Sequence, residues 1–208
     1  MNYNVWEKLA HKYNKLWVQK YSLGPTRREV LKIVLPLIKS NPGIKILEIG
    51  CGTGQLIKEI SAENKNISYF GIDVAENMIE IAKNDNKRNN VKFEAIAIEK
   101  YKTKETFDLI ICTHAFPYFP AKEQMMKKIS GLCNNGARVI IANASSNNLK
   151  DRIITFLLKT TTSKAEYLSI EDMKRLFVNS LLQCIDIKII REKRYMPTIA
   201  LFYLEKQL

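Results

Sequence analysis

The sequence predicts an α/β fold built on parallel strands, and three observations carry that prediction. A short apolar strand, Lys45-Ile46-Leu47-Glu48-Ile49, runs into the alternate glycines Gly50, Gly52 and Gly54 and then into an amphipathic helix bearing Leu56, Ile57 and Ile60. A second apolar strand, Ile67-Ser68-Tyr69-Phe70-Gly71-Ile72-Asp73, ends in an acid 19 residues beyond Gly54. That is the spacing at which a second strand–helix unit sets a carboxylate beside a ribose diol. Beyond Asp73, apolar strand-like runs and helical stripes keep alternating to residue 142, the order of an open sheet with crossover helices.

At the N-terminus, Val5, Leu9, Leu16 and Trp17 recur at helical spacing and predict one amphipathic opening helix, with Trp6, Tyr13 and Tyr21 nearby. His11 reads as solvated. Thr26-Arg27-Arg28-Glu29 matches a capping box after Pro25, so a second helix is expected from there, with Val30, Leu31, Val34 and Ile38 on its apolar stripe. Pro36 is expected to kink its last turn, and Asn41-Pro42-Gly43 to end it. Arg27 and Arg28 oppose the helix dipole; they are either a solvated first turn or contacts for an anionic group.

In the central motif Gly50 lets the chain turn, Gly52 and Gly54 let ligand and helix approach the backbone, and Glu48 aims an acceptor over the loop. An ionised Asp73 accepts from both hydroxyls of a ribose. Ala75, Met78, Ile79 and Ala82 then form a helical stripe, 91–96 a third strand and 107–112 a fourth. The segment Thr113-His114-Ala115-Phe116-Pro117-Tyr118-Phe119-Pro120 follows at the carboxyl edge of that strand, where ligands of open sheets bind. His114, with an ordinary pKa of about 6.5, is either a base for a substrate proton or a residue that only shapes the pocket. Met125, Met126, Ile129 and Leu132 mark a helix closed by Asn135-Gly136, and 138–142 a fifth strand. Residues 144–168 read as a lid-like insert: polar 145–148, an amphipathic helix with Leu149, Ile153, Phe156 and Leu157, then a polar hinge at 160–163. Ser169-Ile170-Glu171-Asp172 caps a helix with Met173, Leu176 and Phe177, and 185–190 with 198–204 reads as a closing hairpin.

Dinucleotide enzymes end their first strand directly in glycine and bring the third glycine one residue later. The string Glu48-Ile49-Gly50-Cys51-Gly52-Thr53-Gly54 instead resembles the first motif of class I S-adenosylmethionine-dependent methyltransferases, with an acid suited to a cationic sulfonium ligand that has no phosphate. The resemblance runs through Gly71-Ile72-Asp73, Phe107-Asp108-Leu109-Ile110 and Asn135-Gly136, and covers about residues 44 to 143. It implies a three-layer α/β sandwich with a mostly parallel seven-stranded sheet, the last strand antiparallel, and two extra N-terminal helices over residues 1–40. It also implies S-adenosylmethionine as cofactor and an in-line SN2 transfer of its methyl group. The cofactor residues it implies are Glu48, Gly50, Cys51, Gly52 and Gly54 of the loop, Asp73 and Val74 at the ribose, Met78 against adenine, Ala97 and Ile98 beside it, and Thr113. Tyr13 either reaches the methionine carboxylate or is plain core.

The chain departs from the family after its third strand, where Ile96-Ala97-Ile98-Glu99 replaces a Gly-Asp pair, so one adenine hydrogen bond of about 1 kcal/mol is expected to be missing and adenine recognition to rest on backbone groups near Ala97 and Ile98 or on Glu99. It also lacks the Asn/Asp-Pro-Pro-Tyr/Phe signature of base-amine methylation after the fourth strand. That leaves base-carbon and ribose methylation open, while the aromatic content of Trp17, Tyr21, Phe116, Tyr118 and Phe119 makes a small, partly hydrophobic acceptor the expected substrate. An RNA or polyanion methyltransferase and a non-catalytic cofactor-binding module are the rivals.

One domain is expected from 208 residues with 46% hydrophobic content. No run approaches the ~18 apolar residues of a membrane span, so no membrane partner is expected. The N-terminus has no signal pattern, so a cytoplasmic location is expected. The four cysteines lie singly, which indicates neither a zinc site nor a disulfide framework. A net charge of +12 fits either a polyanion partner or a Lys- and Asn-rich composition; basic residues are spread rather than clustered, so nucleic acid is not favoured.

Overall fold

The computed structural model describes residues 4–64, 66–162 and 165–207. Its centre is β1 (Lys45–Ile49), whose alternate side chains are buried on both faces, as expected for a strand covered by helices on each side. Ile46 packs with Val30, Val34, Ile57 and Ile60 on one face; Leu47 and Ile49 pack with Met126, Ile129, Met173 and Phe177 on the other. Seven strands join in the order β3-β2-β1-β4-β5-β7-β6. These are β1, β2 (Ser68–Asp73), β3 (Val91–Ala95), β4 (Phe107–Thr113), β5 (Cys133–Ala144), β6 (Leu182–Ile190) and β7 (Ile199–Lys206). β7 is antiparallel to both its neighbours and the other pairings are parallel, so the architecture is the expected sandwich. The strand order reverses between β1 and β4, and the crevice beyond their carboxyl ends is where an open sheet places its ligand.

The helices are α1 (Asn4–Tyr13), α2 (Gly24–Ser40), α3 (Gln55–Glu63), α4 (Glu76–Asp85), α5 (Lys122–Gly131), α6 (Leu149–Thr162) and α7 (Ile170–Val178). The opening helix is not one piece as expected: it breaks after Tyr13, where Asn14 turns out to accept a 2.7 Å hydrogen bond from Thr53 of the glycine loop. The capping box at Thr26 is also absent. The chain is already helical there, because a π-turn, Gln19–Leu23, feeds directly into α2 with Gly24 N–H donating to Gln19 O. Pro25 has no N–H to continue the i−4 ladder, which accounts for the change of register. α2 runs on through Pro36 to Ser40.

Asn135-Gly136 does not close α5. That helix ends at Gly131, and Gly136, with φ +70°, sits in the irregular start of β5, where the register against β4 shifts and Asn134 Nδ2 donates to Asp108 Oδ1 at 2.5 Å. The α7 cap is formed as read, with Asp172 N–H donating to Ser169 Oγ at 3.1 Å. α6 continues through Thr162, so the threonines of the expected hinge extend the helix, while residues 163 and 164 lie outside the described residues. The base of α6 is locked to the start of β7: buried Asp151 accepts from Arg191 Nη2 at 3.1 Å and from Thr198 N–H at 3.1 Å.

Candidate functional site

The glycine loop leaves β1 clamped to β2, with the N–H groups of Gly50 and Cys51 both donating to Ile72 O at 2.8 and 3.1 Å. Gly50 has φ +74°, and a Cβ there would lie 2.3 Å from the Cβ of Ala115, so no other residue lets the loops after β1 and β4 meet. Gly52 donates its N–H to Asp73 Oδ2 at 2.9 Å, and Asp73 Oδ1 accepts from Ala75 N–H at 3.0 Å. Each carboxylate oxygen keeps a second lone pair for a ligand hydroxyl. Burial raises the Asp73 carboxyl above its usual value, and the N–H groups of Ala75, Gly52 and Val74 oppose that rise.

α1 lies over the loop. The ring of Tyr13 stands 3.6 Å from the position of a Cβ on Gly52, and Trp6 packs edge-on against Tyr13 and against Tyr118 of the turn Phe116–Tyr118. Burial and, next, the Asp73 charge push the Tyr13 hydroxyl far up, so it remains a donor at any working pH. Glu7 fixes this helix from the other end, accepting from the N–H groups of Glu76 and Asn77 at 2.6 and 3.0 Å and thereby capping α4.

Beneath Tyr13 lies a small polar recess of about 50 Å³ lined by Gln19, Arg27, Glu48, Cys51 and Thr53 among others. Glu48 is buried beside Tyr69, whose hydroxyl donates to it at 3.5 Å; burial and then the Asp73 charge raise its pKa to about 8. Arg27 is held by Glu59 Oε1 at 2.6 Å and Gln55 Oε1 at 2.9 Å, so it faces the recess rather than solvent, whereas Arg28 is exposed and pairs with Glu192. Gln19 Oε1 is buried and without a hydrogen-bond partner among the described residues, while its Nε2 donates to Tyr13 O at 3.3 Å. Sequence reasoning missed Gln19, because its place depends on the π-turn, and π-turns favour functional sites.

The recess adjoins a cavity of about 370 Å³, a size typical of small-molecule sites. On one side its wall holds Asp73, Val74, Met78, Ile96, Ile98 and Glu99; on the other stand Trp17, Tyr118, Phe119, Tyr167, Tyr195 and Met196. Gly50, Gly52, Thr113 and His114 lie where the two meet. Four expected residues fall outside both spaces: Tyr21 and core-buried Phe116 of the aromatic set, and Gly54 and Ala97 of the cofactor set. Gly54 caps α3, where a Cβ would sit 2.9 Å from Asn86 Nδ2, and Ala97 spends its carbonyl on the N–H groups of Lys100 and Tyr101 in a turn. A broader open depression of about 800 Å³ along β3 contains neither the glycine loop, Asp73 nor His114.

His114 occupies a left-handed conformation, φ +58°, of the sort that concentrates at functional sites; its N–H donates to Ala142 O at 2.7 Å. Its Nε2 lies 2.9 Å from Thr26 Oγ1, which is itself 2.9 Å from Ser22 O. A carbonyl only accepts, so the single hydroxyl proton goes to Ser22, and Nε2–H must donate to Thr26. The lone pair of the ring is thereby assigned to Nδ1. Burial lowers the pKa of His114 to about 4, which keeps the ring neutral at physiological pH. The loop that carries it is tied by Lys122, whose ammonium donates to the carbonyls of Phe116, Pro117 and Phe119 at 3.0, 2.7 and 2.8 Å.

A family model described as "Methyltransferase domain" matches residues 40–201. Among curated proteins, the chain is 30% identical over 126 residues to a malonyl-[acyl-carrier protein] O-methyltransferase of Bacillus anthracis, covering 61% of this chain and 40% of that protein. It is 24% identical over 131 residues to a ubiquinone biosynthesis O-methyltransferase of Bordetella avium, covering 61% and 52%. The chain thus spans about half or less of the length of these relatives. Among solved structures it superposes on the magnesium protoporphyrin IX methyltransferase of Synechocystis PCC 6803 with bound SAH, at a TM-score of 0.72 and 18% identity over 92% of this chain and 88% of that one.

Proposed function

Since the chain belongs to the methyltransferase-domain family, we propose that it binds S-adenosylmethionine and transfers the methyl group to a small, partly apolar acceptor. The observation that carries this reading is the continuity of the cavity from the glycine loop and Asp73 to an aromatic chamber, with His114 at the junction. The residues present fit the cofactor. Asp73 offers free lone pairs to a ribose, Met78 and Ile98 offer apolar walls to an adenine, and the unpartnered Gln19 Oε1 with Glu48 and Arg27 offers acceptors and a cation to an amino-acid end. When bound, the sulfonium supplies an electrophilic methyl carbon.

The chain's own contribution is positioning and exclusion of water. Trp6 and Tyr13 of α1 cover the loop, Ile154 and Leu158 of α6 close the chamber, and Tyr118 and Phe119 wall the acceptor. His114, neutral and with Nδ1 unprotonated, takes the proton from the acceptor as its oxygen attacks. An oxygen acceptor is favoured by the curated relatives named as O-methyltransferases. Residues 144–168 act as a lid on this reading, and residues 1–40 as a cap.

The test is to incubate the protein with methyl-labelled cofactor and fractionated cell extract. Label in small organic acids or phenols supports the proposal. Label in RNA, or binding of cofactor with no transfer to any fraction, overturns it in favour of the polymer or non-catalytic reading.

A further inference from the structure

α6 presents apolar side chains on two opposite faces. Ile154 and Leu158 point into the cavity, and Asp151 and Thr155 are buried beside them. Leu149, Ile153 and Phe156, one helical stripe at spacings of four and three, are 75%, 54% and 67% exposed on the far side. A helix that only closed a cavity would carry polar residues there. Around the same cavity mouth, Trp17 is 57% and Tyr195 63% exposed, although both also line the cavity. The rim of the site is thus an exposed apolar surface formed from three separate segments.

On the three segments that form this rim the exposed charge is mostly basic, with Glu99 in the cavity wall and exposed Glu166 beside Tyr167 as acids nearby. Lys150, Arg152 and Lys159 flank the exposed stripe of α6 on both sides. Lys12, Lys15 and Lys20 stand exposed on the segment with Trp17, and Lys193 and Arg194 beside Tyr195. The acids of these stretches are already engaged: Asp151 is buried against Arg191, and Glu192 pairs with Arg28. Aliphatic and aromatic side chains bordered by unneutralised lysine and arginine are the pattern of a helix that lies in the headgroup region of an anionic bilayer. Among the described residues no helix is long and apolar enough to cross a membrane, which is compatible with this, since lying on a membrane and crossing it are different physical states.

We propose that the outer face of α6, with Trp17 and Tyr195, docks on an anionic lipid surface and presents the mouth of the cavity to the bilayer. An apolar acceptor would then pass from lipid to site without crossing water. The docking stands whether or not the methyl-transfer reading holds, because its readout is lipid binding. The test uses the full chain with Trp6 replaced by Phe, so that fluorescence reports Trp17, and vesicles of phosphatidylcholine with and without phosphatidylglycerol. The expected result is sedimentation with the anionic vesicles, a blue shift of Trp17, and binding weakened roughly tenfold or more both by the surface pair Ile153→Ser, Phe156→Ser and by Lys150→Glu with Lys159→Glu. Failure to bind anionic vesicles, or binding indifferent to the apolar pair, overturns the proposal. A concentration-dependent dimer that the apolar pair abolishes, without lipid binding, also overturns it and assigns the face to a second copy.

Discussion

Asp73 is committed to the N–H groups of Gly52 and Ala75, so it shapes the loop as well as offering lone pairs to a ligand. Asp73→Ala is expected to weaken S-adenosylmethionine and S-adenosylhomocysteine alike by ~1.5–3 kcal/mol, the range for a charge-assisted hydrogen bond. Calorimetry decides it, and unchanged affinity in a folded variant removes Asp73 from the site. Glu48 leads to a pH effect. Its folded pKa of about 8 exceeds the ordinary 4.5, so the folded state holds a proton that the unfolded chain releases. The associated stability is full below about pH 4.5 and declines as pH rises towards 8, and Glu48→Gln should flatten that decline in urea midpoints taken across the interval. His114 runs the other way: its pKa of about 4 leaves the base neutral, so the acid limb of the turnover profile is expected well below pH 6.5. Thr26→Val removes the acceptor of Nε2–H while keeping the shape. It should cut kcat by roughly tenfold or more with little change in KM and distort that limb, with Thr26→Ser restoring both. A kcat unchanged in Thr26→Val would leave the pair a packing contact.

At the scale of elements, local and distant caps behave differently. α7 carries its own cap in Ser169, whereas α4 begins at Ala75 with no side-chain cap and receives one from Glu7 of α1. Glu7→Ala should therefore cost about 1 kcal/mol in denaturant unfolding and also lower cofactor affinity, because it releases the helix that seats Trp6 and Tyr13 over the loop. Lost stability with unaltered affinity would separate α1 from the site. The capping box at Thr26 shows the converse. Its four-residue pattern matched, yet the π-turn before it had already begun the helix, so Thr26 was free to hold His114 instead.

For the whole molecule, closure is the question. α1, the turn at Phe116–Tyr118 and α6 all border one cavity, which joins segments far apart in the chain. Deleting residues 1–22 is expected to abolish turnover while sparing the Gly52–Asp73 contact, since that removes Glu7, Tyr13, Asn14 and Gln19 together. Cofactor and acceptor bound at once should slow tryptic cleavage at Lys150, Arg152 and Lys159 in the intact chain, read by mass spectrometry. A fully active truncation, or cleavage indifferent to ligands, would leave these helices a purely structural or docking role.

The sequence by itself determined the sheet, the glycine loop and the acid at the end of β2, because strand alternation, glycine spacing and a strand-end carboxylate are each written within one short stretch. It also marked Tyr13 and His114 as residues with two possible roles. Only the tertiary structure decided that Gly54 and Ala97 stand outside the cavity, that Gln19 lines the adjoining recess while buried Thr26 holds the His114 ring, and that α4 is capped from residue 7. The reason is the range of the interactions: propensity and periodicity act over a few residues, whereas these contacts join Thr26 to His114 and Glu7 to Asn77. Such contacts exist only once the parallel crossovers have brought α1, α2 and the loop after β4 to the same carboxyl edge.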